Sequence, residues 1–414
     1  MERLYWNNDW KFAETWEEAM KEAVYPENEM EDVRLPHTCK ELPYHYFDEH
    51  AYQMLCGYRR HFMAPEAWQG KSVELTFEGV AHDAVVYVNG TEVKAHHCGY
   101  TAFSVELAKY LKYGEDNVLA VRVDSRENLN IPPFGYAIDY MTFGGMYREV
   151  YVQVRNKTHL ADVFVKPQIH PLQVTTEITV QNISDGITLQ QEIRKKGEGA
   201  YSPLGKKPVK QTNVQTVFPV QEICLWEPEN PYLYEIRTSL WKNGEMIDAR
   251  VDITGFREAG FRKDGFYLNG KKLRLRGLNR HQSYPYVGYA APASMQIFDA
   301  DILKKELGVN AVRTSHYPQS QDFIRRCDEI GLLVFTEFPG WQHIGDEEWK
   351  RQAVQNLKEM IVQYRNHPSI ILWGVRINES QDDDVFYRET NRVAHELDDT
   401  RATGGVRMLR SEER

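Results

Sequence analysis

The sequence predicts a multidomain protein: two all-β sandwiches followed by a parallel α/β unit. Three observations predict it. The length of 414 residues exceeds one typical domain. Up to about residue 255, apolar residues come in short alternating runs punctuated by proline and glycine, the period of half-buried strands. Beyond Gly255, apolar strands alternate with helical stripes, the rhythm of consecutive βα units.

The elements follow in order. In residues 1–155, Val73, Leu75 and Phe77 alternate with polar neighbours. Residues 84–88 form a short apolar run ending in Asn89-Gly90, a hairpin-turn signal, and residues 118–123 form another strand. This pattern predicts a jelly-roll sandwich. In residues 156–255, strands at 177–180 and 233–241, with a turn at Asn243-Gly244, predict a small immunoglobulin-like sandwich. The Lys- and Gly-rich stretch 194–211 is predicted as a loop. In residues 256–414, strands are expected at 273–278, 310–315, 332–335 and 370–373. Helices are expected at 295–307, 320–330, 347–364 and 384–397. The third has Trp349, Ala353, Leu357, Met360, Ile361 and Tyr364 on one stripe. Gly404-Gly405 is read as a turn and Val406 as the start of a fifth strand.

Composition narrows the function. The 42% hydrophobic content supports packed cores. A net charge of −10, spread through the chain, argues against nucleic acid or an anionic membrane as partner. No apolar run reaches the roughly 18 residues of a membrane span, and the N-terminus lacks the apolar core of a signal peptide. The five cysteines are widely spaced and form no metal pattern, which predicts reduced thiols in a cytoplasmic protein. With no zinc spacing and no Gly-rich phosphate loop after a strand, neither cofactor nor metal is expected.

The chemistry concentrates in one run: Tyr364-Arg365-Asn366-His367-Pro368-Ser369-Ile370-Ile371-Leu372-Trp373, continuing through Gly374-Val375-Arg376-Ile377 to Asn378-Glu379. An apolar strand delivers an Asn-Glu pair at its carboxyl end, where βα architectures place their chemistry. A carboxylic acid there can protonate a poor leaving oxygen and then take a proton from water. The run resembles the acid/base segment of glycoside hydrolase family 2, the family of β-galactosidases, β-glucuronidases and β-mannosidases. Other segments carry the same resemblance. Leu225-Trp226-Glu227-Pro228 with Asn230-Pro231-Tyr232 looks like that family's second domain. Arg276-Gly277-Leu278-Asn279-Arg280-His281 looks like its entry into the barrel. Asn310-Ala311-Val312-Arg313-Thr314-Ser315-His316-Tyr317-Pro318 is similar to its second barrel strand.

The resemblance implies a jelly roll, an immunoglobulin-like sandwich and a (β/α)8 TIM barrel, with about four βα units present here. It implies a retaining β-glycosidase of carbohydrate metabolism, most like the β-galactosidase branch, with β-glucuronidase as the alternative. Glu379 would be the acid/base, and Asn378 a partner of the sugar 2-hydroxyl. His281 and His316 match histidines that contact the sugar ring. Arg313 matches an arginine that holds a catalytic carboxylate, or forms a purely structural ion pair. Asp139 matches an aspartate reaching from the first domain to sugar hydroxyls, or is a loop residue. Trp341 is an aromatic platform under a sugar, or ordinary packing. It stands where magnesium-binding members have a glutamate, beside His343, so no such metal is expected. Glu337, ending the third strand, is expected behind the contact layer.

A retaining mechanism needs a second carboxylate about 5 Å from the first. The glutamates after Glu379 are Glu389, Glu396, Glu412 and Glu413, on a helix and in a charged tail. None suits a nucleophile at a strand end. The expectation is therefore a truncated chain, inactive alone, whose open barrel edge pairs with another copy or with a completing C-terminal fragment. A non-catalytic carbohydrate-binding scaffold is the reading from another class.

Overall fold

The computed structural model describes residues 3–44, 48–135 and 138–408. The first unit is two antiparallel sheets packed face to face. One orders the strands Leu4–Tyr5, Val150–Arg155, Ser72–Phe77 and Phe103–Glu106. The other orders Glu31–Val33, Trp10–Ala13, Leu55–Met63, Asp116–Asp124, Asp83–Val88 and Thr91–His96. Alternation decides which side chains go inward. Val73, Leu75 and Phe77 of the first sheet meet Ala84, Val86, Val88, Leu119, Val121 and Val123 of the second in one apolar cluster. Asn89 and Gly90 turn the expected hairpin with φ of 50° and 85°, the left-handed pair that a two-residue turn needs.

The second unit packs a three-stranded sheet (His159–Ile169, Leu172–Gln181, Asn213–Pro219) on a four-stranded one. The latter orders Ser202–Pro208, Thr188–Lys195, Tyr234–Lys242 and Glu245–Thr254. This seven-strand sandwich corrects one expectation, the loop at 194–211. Ser202–Pro208 is a strand at a sheet edge, paired only with Thr188–Lys195. An edge exposed on both faces shows no alternation and tolerates the proline and lysines that made the stretch look irregular.

The α/β unit is a five-stranded parallel sheet in sequential order: Gly277–Asn279, Ala311–Thr314, Leu333–Glu337, Ile370–Gly374 and Ala402–Gly404. These are barrel strands one to five. Helices Ala293–Asp301, Gln321–Ile330, Glu347–Tyr364 and Asp384–Leu397 connect them, the first running on into a π-helical turn Ile302–Glu306. The expected stripe of helix three is buried against strands three and four. Two boundaries differ from the sequence reading. Leu273 and Leu275 precede strand one and pack with Trp226 and Leu333 instead. Strand five is Ala402–Gly404, not a strand beginning at Val406, because Thr403 and Gly404 pair with Trp373 and Gly374. Gly404 breaks nothing there.

The sandwiches clamp the barrel from outside. Glu359 on helix three accepts from Thr101 at 2.6 Å and pairs with His96 at 3.1 Å, while Gln363 accepts from Ala102 N at 2.8 Å. The buried Arg148 guanidinium reaches from the first sandwich to Gln282 Oε1 and Pro318 O. Asn366, just after helix three, ties into the second sandwich through Val163 O and Val165 N. Among the described residues, no helix is long and apolar enough to cross a membrane. Cys39, Cys56, Cys98 and Cys327 are buried free thiols, and Cys224 is exposed.

Candidate active site

The carboxyl ends of barrel strands one to four converge on one polar cluster. Arg313 lies on strand two and Glu337 is the last residue of strand three. The Arg313 guanidinium grips Glu337 with Nη2 at 2.9 Å from both carboxylate oxygens and Nε at 3.1 Å from one. Its Nη2 also donates to Asn378 Oδ1 at 2.7 Å. His316 Nδ1 lies 2.6 Å from Glu337 Oε1. Glu337 is only 1% exposed and fully engaged, which places it behind the surface as its sequence position suggested. The carboxylate held by Arg313 is therefore Glu337. Holding Asn378 by its oxygen leaves the amide NH2 for an outside acceptor.

Glu379 stands on a strained turn. Its φ is 52°, a left-handed value uncommon for a non-glycine residue. The turn is fixed from two sides. Glu379 N donates to Val406 O at 2.9 Å, and Gln342 N donates to Asn378 O at 2.8 Å. Gln342, itself at φ 54°, also donates from Nε2 to Glu379 Oε2 at 3.2 Å. The Glu379 carboxylate is exposed, free to meet a ligand. Trp341 bridges to Asn378 through the backbone and is half-buried; its indole N–H is buried with no acceptor. His343 packs its ring on Gly135, where a Cβ would fall 2.1 Å from His343 Cγ, and lies edge-on to Trp349. Trp341 contributes no oxygen ligand. Among the described residues no group of three or more His, Cys, Asp or Glu could hold a metal ion.

The other wall is aromatic. His281, two residues past strand one, has its ring centroid 5.6 Å from that of His316 and 5.2 Å from that of Tyr140. Burial, with His316, Arg280 and Arg313 nearby, pushes the His281 pKa down to about 4. Tyr140 belongs to the first sandwich, so the segment carrying Asp139 does reach the barrel mouth, where Asp139 stands exposed. Sequence reasoning missed Tyr140, Tyr317 and Gln342. The first two adjoin residues it named, Asp139 and His316, and that adjacency was the available signal. A polar cleft of about 810 Å³ between the sandwiches and helices two and three is a separate feature, since no strand-end residue named above lines it.

Three family models match the chain in order. The glycosyl hydrolases family 2 sugar binding domain matches residues 32–155, the glycosyl hydrolases family 2 model residues 158–257, and the family 2 TIM barrel domain residues 260–408. The chain belongs to glycoside hydrolase family 2. This family 2 chain is 48% identical over 419 residues to a β-galactosidase of Thermoanaerobacter pseudethanolicus, covering 99% of the chain and 56% of that protein. It is 46% identical over 417 residues to a β-galactosidase of Thermoanaerobacterium thermosulfurigenes, covering 97% of the chain and 58% of that protein. Among solved structures it resembles Bacteroides uniformis β-glucuronidase 2 covalently bound to cyclophellitol-6-carboxylate aziridine. That match has a TM-score of 0.88 and 28% identity, over 98% of this chain and 52% of the other. The chain thus spans about half the length of the relatives it matches.

Proposed function

We propose that this family 2 chain carries the acid/base half of a retaining β-glycosidase site acting on β-galactosides. The observation that carries the reading is the exposed Glu379 carboxylate on its pinned, left-handed turn, beside Asn378. A glycosidic oxygen leaves well only when protonated as the bond breaks. Glu379 is the donor, and in the second step it takes the proton of the attacking water. The Asn378 amide N–H faces the sugar 2-hydroxyl, a contact that tightens as positive charge develops on the ring. His281, His316 and the exposed Asp139 meet other hydroxyls, and Trp341 offers a ring face. The names of the two most similar relatives quoted above favour galactose, while the β-glucuronidase structure keeps a glucuronide as the second reading. Residues 156–255 then hold the barrel's outer helices and residues 1–155 furnish one wall of the pocket.

The second carboxylate is the limiting part. Glu337 is sealed by Arg313 and His316, so turnover requires a nucleophile supplied from outside the residues described. The test is hydrolysis of nitrophenyl β-galactoside, β-glucuronide and β-mannoside by the purified chain, with Glu379→Gln beside it and galactose binding followed by calorimetry. The expected result is saturable galactose binding with no turnover by the chain alone. Turnover lost in Glu379→Gln, least for the most activated leaving group, would keep the acid/base role and overturn the missing nucleophile. Turnover indifferent to Glu379→Gln, or no sugar binding by folded protein, would overturn the assignment itself.

A further inference from the structure

Two imidazoles stand side by side at the ends of barrel strands one and two, and each commits Nδ1 to the protein. His281 Nδ1 lies 3.2 Å from the Tyr317 hydroxyl, and His316 Nδ1 lies 2.6 Å from Glu337 Oε1. Neither Nε2 has a hydrogen-bond partner among the described residues, and neither is sealed away. His281 is half-buried and His316 buried at the barrel mouth, and each Nε2 keeps some exposure.

The two partners differ in kind. An ionised carboxylate only accepts, so His316 Nδ1 carries a proton toward Glu337. Arg313 Nη2, at 3.4 Å from the same nitrogen, is the longer contact and is already committed to Glu337 and Asn378. A tyrosine can donate or accept. The Tyr317 oxygen already receives the Gln282 N–H at 3.4 Å, so its own proton needs a lone pair to go to. His281 supplies one, because burial and the neighbouring His316, Arg280 and Arg313 keep its ring neutral near pH 7. A neutral imidazole has one donor and one acceptor nitrogen, and the partner of Nδ1 decides which is which.

We propose that Tyr317 is a positioning residue whose hydroxyl donates to His281 Nδ1, so that His281 faces the sugar with an Nε2–H donor. The proposal rests on reading this mouth as the sugar site. A fixed Nε2–H donor meets a sugar hydroxyl oxygen, which can accept it.

The experiment is long-range proton–nitrogen NMR of the ring nitrogens in the ¹⁵N-labelled chain at pH 7.5, with His281→Gln and His316→Gln used only to assign signals. The expected pattern is a protonated Nε2 on His281 and a protonated Nδ1 on His316. Tyr317→Phe keeps the ring packed among Tyr100, Tyr140 and Tyr289 and deletes only the hydroxyl. It should turn His281 into a mixture of tautomers and leave His316 unchanged. A protonated Nδ1 on His281, or a Tyr317→Phe spectrum identical to the parent, would overturn the proposal. If the variant fails to fold, the parent spectrum alone decides the tautomer. Galactose titration forms a separate arm. Expected tautomers with no shift of either ring on adding galactose would sink the sugar-site reading and spare the tautomer assignment.

Discussion

At the residue scale the molecule holds two kinds of buried ionisable group with opposite pH behaviour. His82 is fully buried in the first sandwich, with Nδ1 unpartnered, and burial pushes its pKa down to about 4. Its folded pKa lies below the unfolded one, so folding favours the neutral ring. That stability is complete above the unfolded pKa of about 6.5 and is lost as pH falls toward 4. Glu78 does the reverse. Burial, with Glu149 nearby, raises its pKa to about 7 despite the Arg3 guanidinium at 3.2 Å. Its contribution is complete below the unfolded pKa of about 4.5 and is lost as pH rises through 7. The two slopes oppose each other between pH 5 and 7. Glu78→Gln should therefore raise stability at pH 8 by about 1–3 kcal/mol and leave it nearly unchanged at pH 4.5. In that variant the acid side falls more steeply, by about 2 kcal/mol from pH 7 to 5 for His82 alone. Urea denaturation across this range checks both. The strand-end cluster was legible residue by residue because Arg313, His316, Asn378 and Glu379 sit on or just past apolar runs. What Arg313 grips was not legible. The sequence offers several carboxylates, and only the folded register puts Glu337 rather than Glu379 in its fork.

At the element scale, legibility follows how strongly each segment is patterned. Helix three was read at its observed bounds, Glu347–Tyr364, because it has a long apolar stripe and begins on an aspartate. The Asp346 carboxylate accepts from Glu348 N at 3.0 Å and Trp349 N at 3.1 Å, satisfying two of the first-turn donors that a helix leaves open. Asp346→Ala should cost about 1 kcal/mol, and Asp346→Asn much less, in thermal or urea unfolding. A loss well under the usual cap range for the alanine variant would show that burial of Trp349 alone holds this end. Strand five and the edge strand Ser202–Pro208 were misplaced for the opposite reason. Each pairs on one side only and carries Gly, Pro or Lys, so neither shows the alternation that marks a strand.

At the scale of the whole molecule, the parallel sheet has two unpaired edges among the described residues, Gly277–Asn279 and Ala402–Gly404. Parallel sheets ordinarily have both faces covered and their edges closed or blunted. Here apolar surface lies open beside those edges. Leu278 is 47% exposed on strand one, Phe298 is 59% exposed on helix one, Leu307 follows at 57%, and Val385 opens helix four at 82%. None of these edge strands carries a lysine or a proline to deter pairing. Self-association through this face is the expected outcome, because the free N–H and C=O groups and the apolar side chains reinforce each other. Sedimentation velocity should show a weight-average mass that rises with protein concentration. Leu278→Lys with Phe298→Glu should return the chain to a monomer without lowering its melting temperature, since both side chains already face water. A parent chain that stays monomeric at high concentration would show that these edges are protected in solution. A double variant that unfolds would show instead that the exposed face belongs to the fold's own packing.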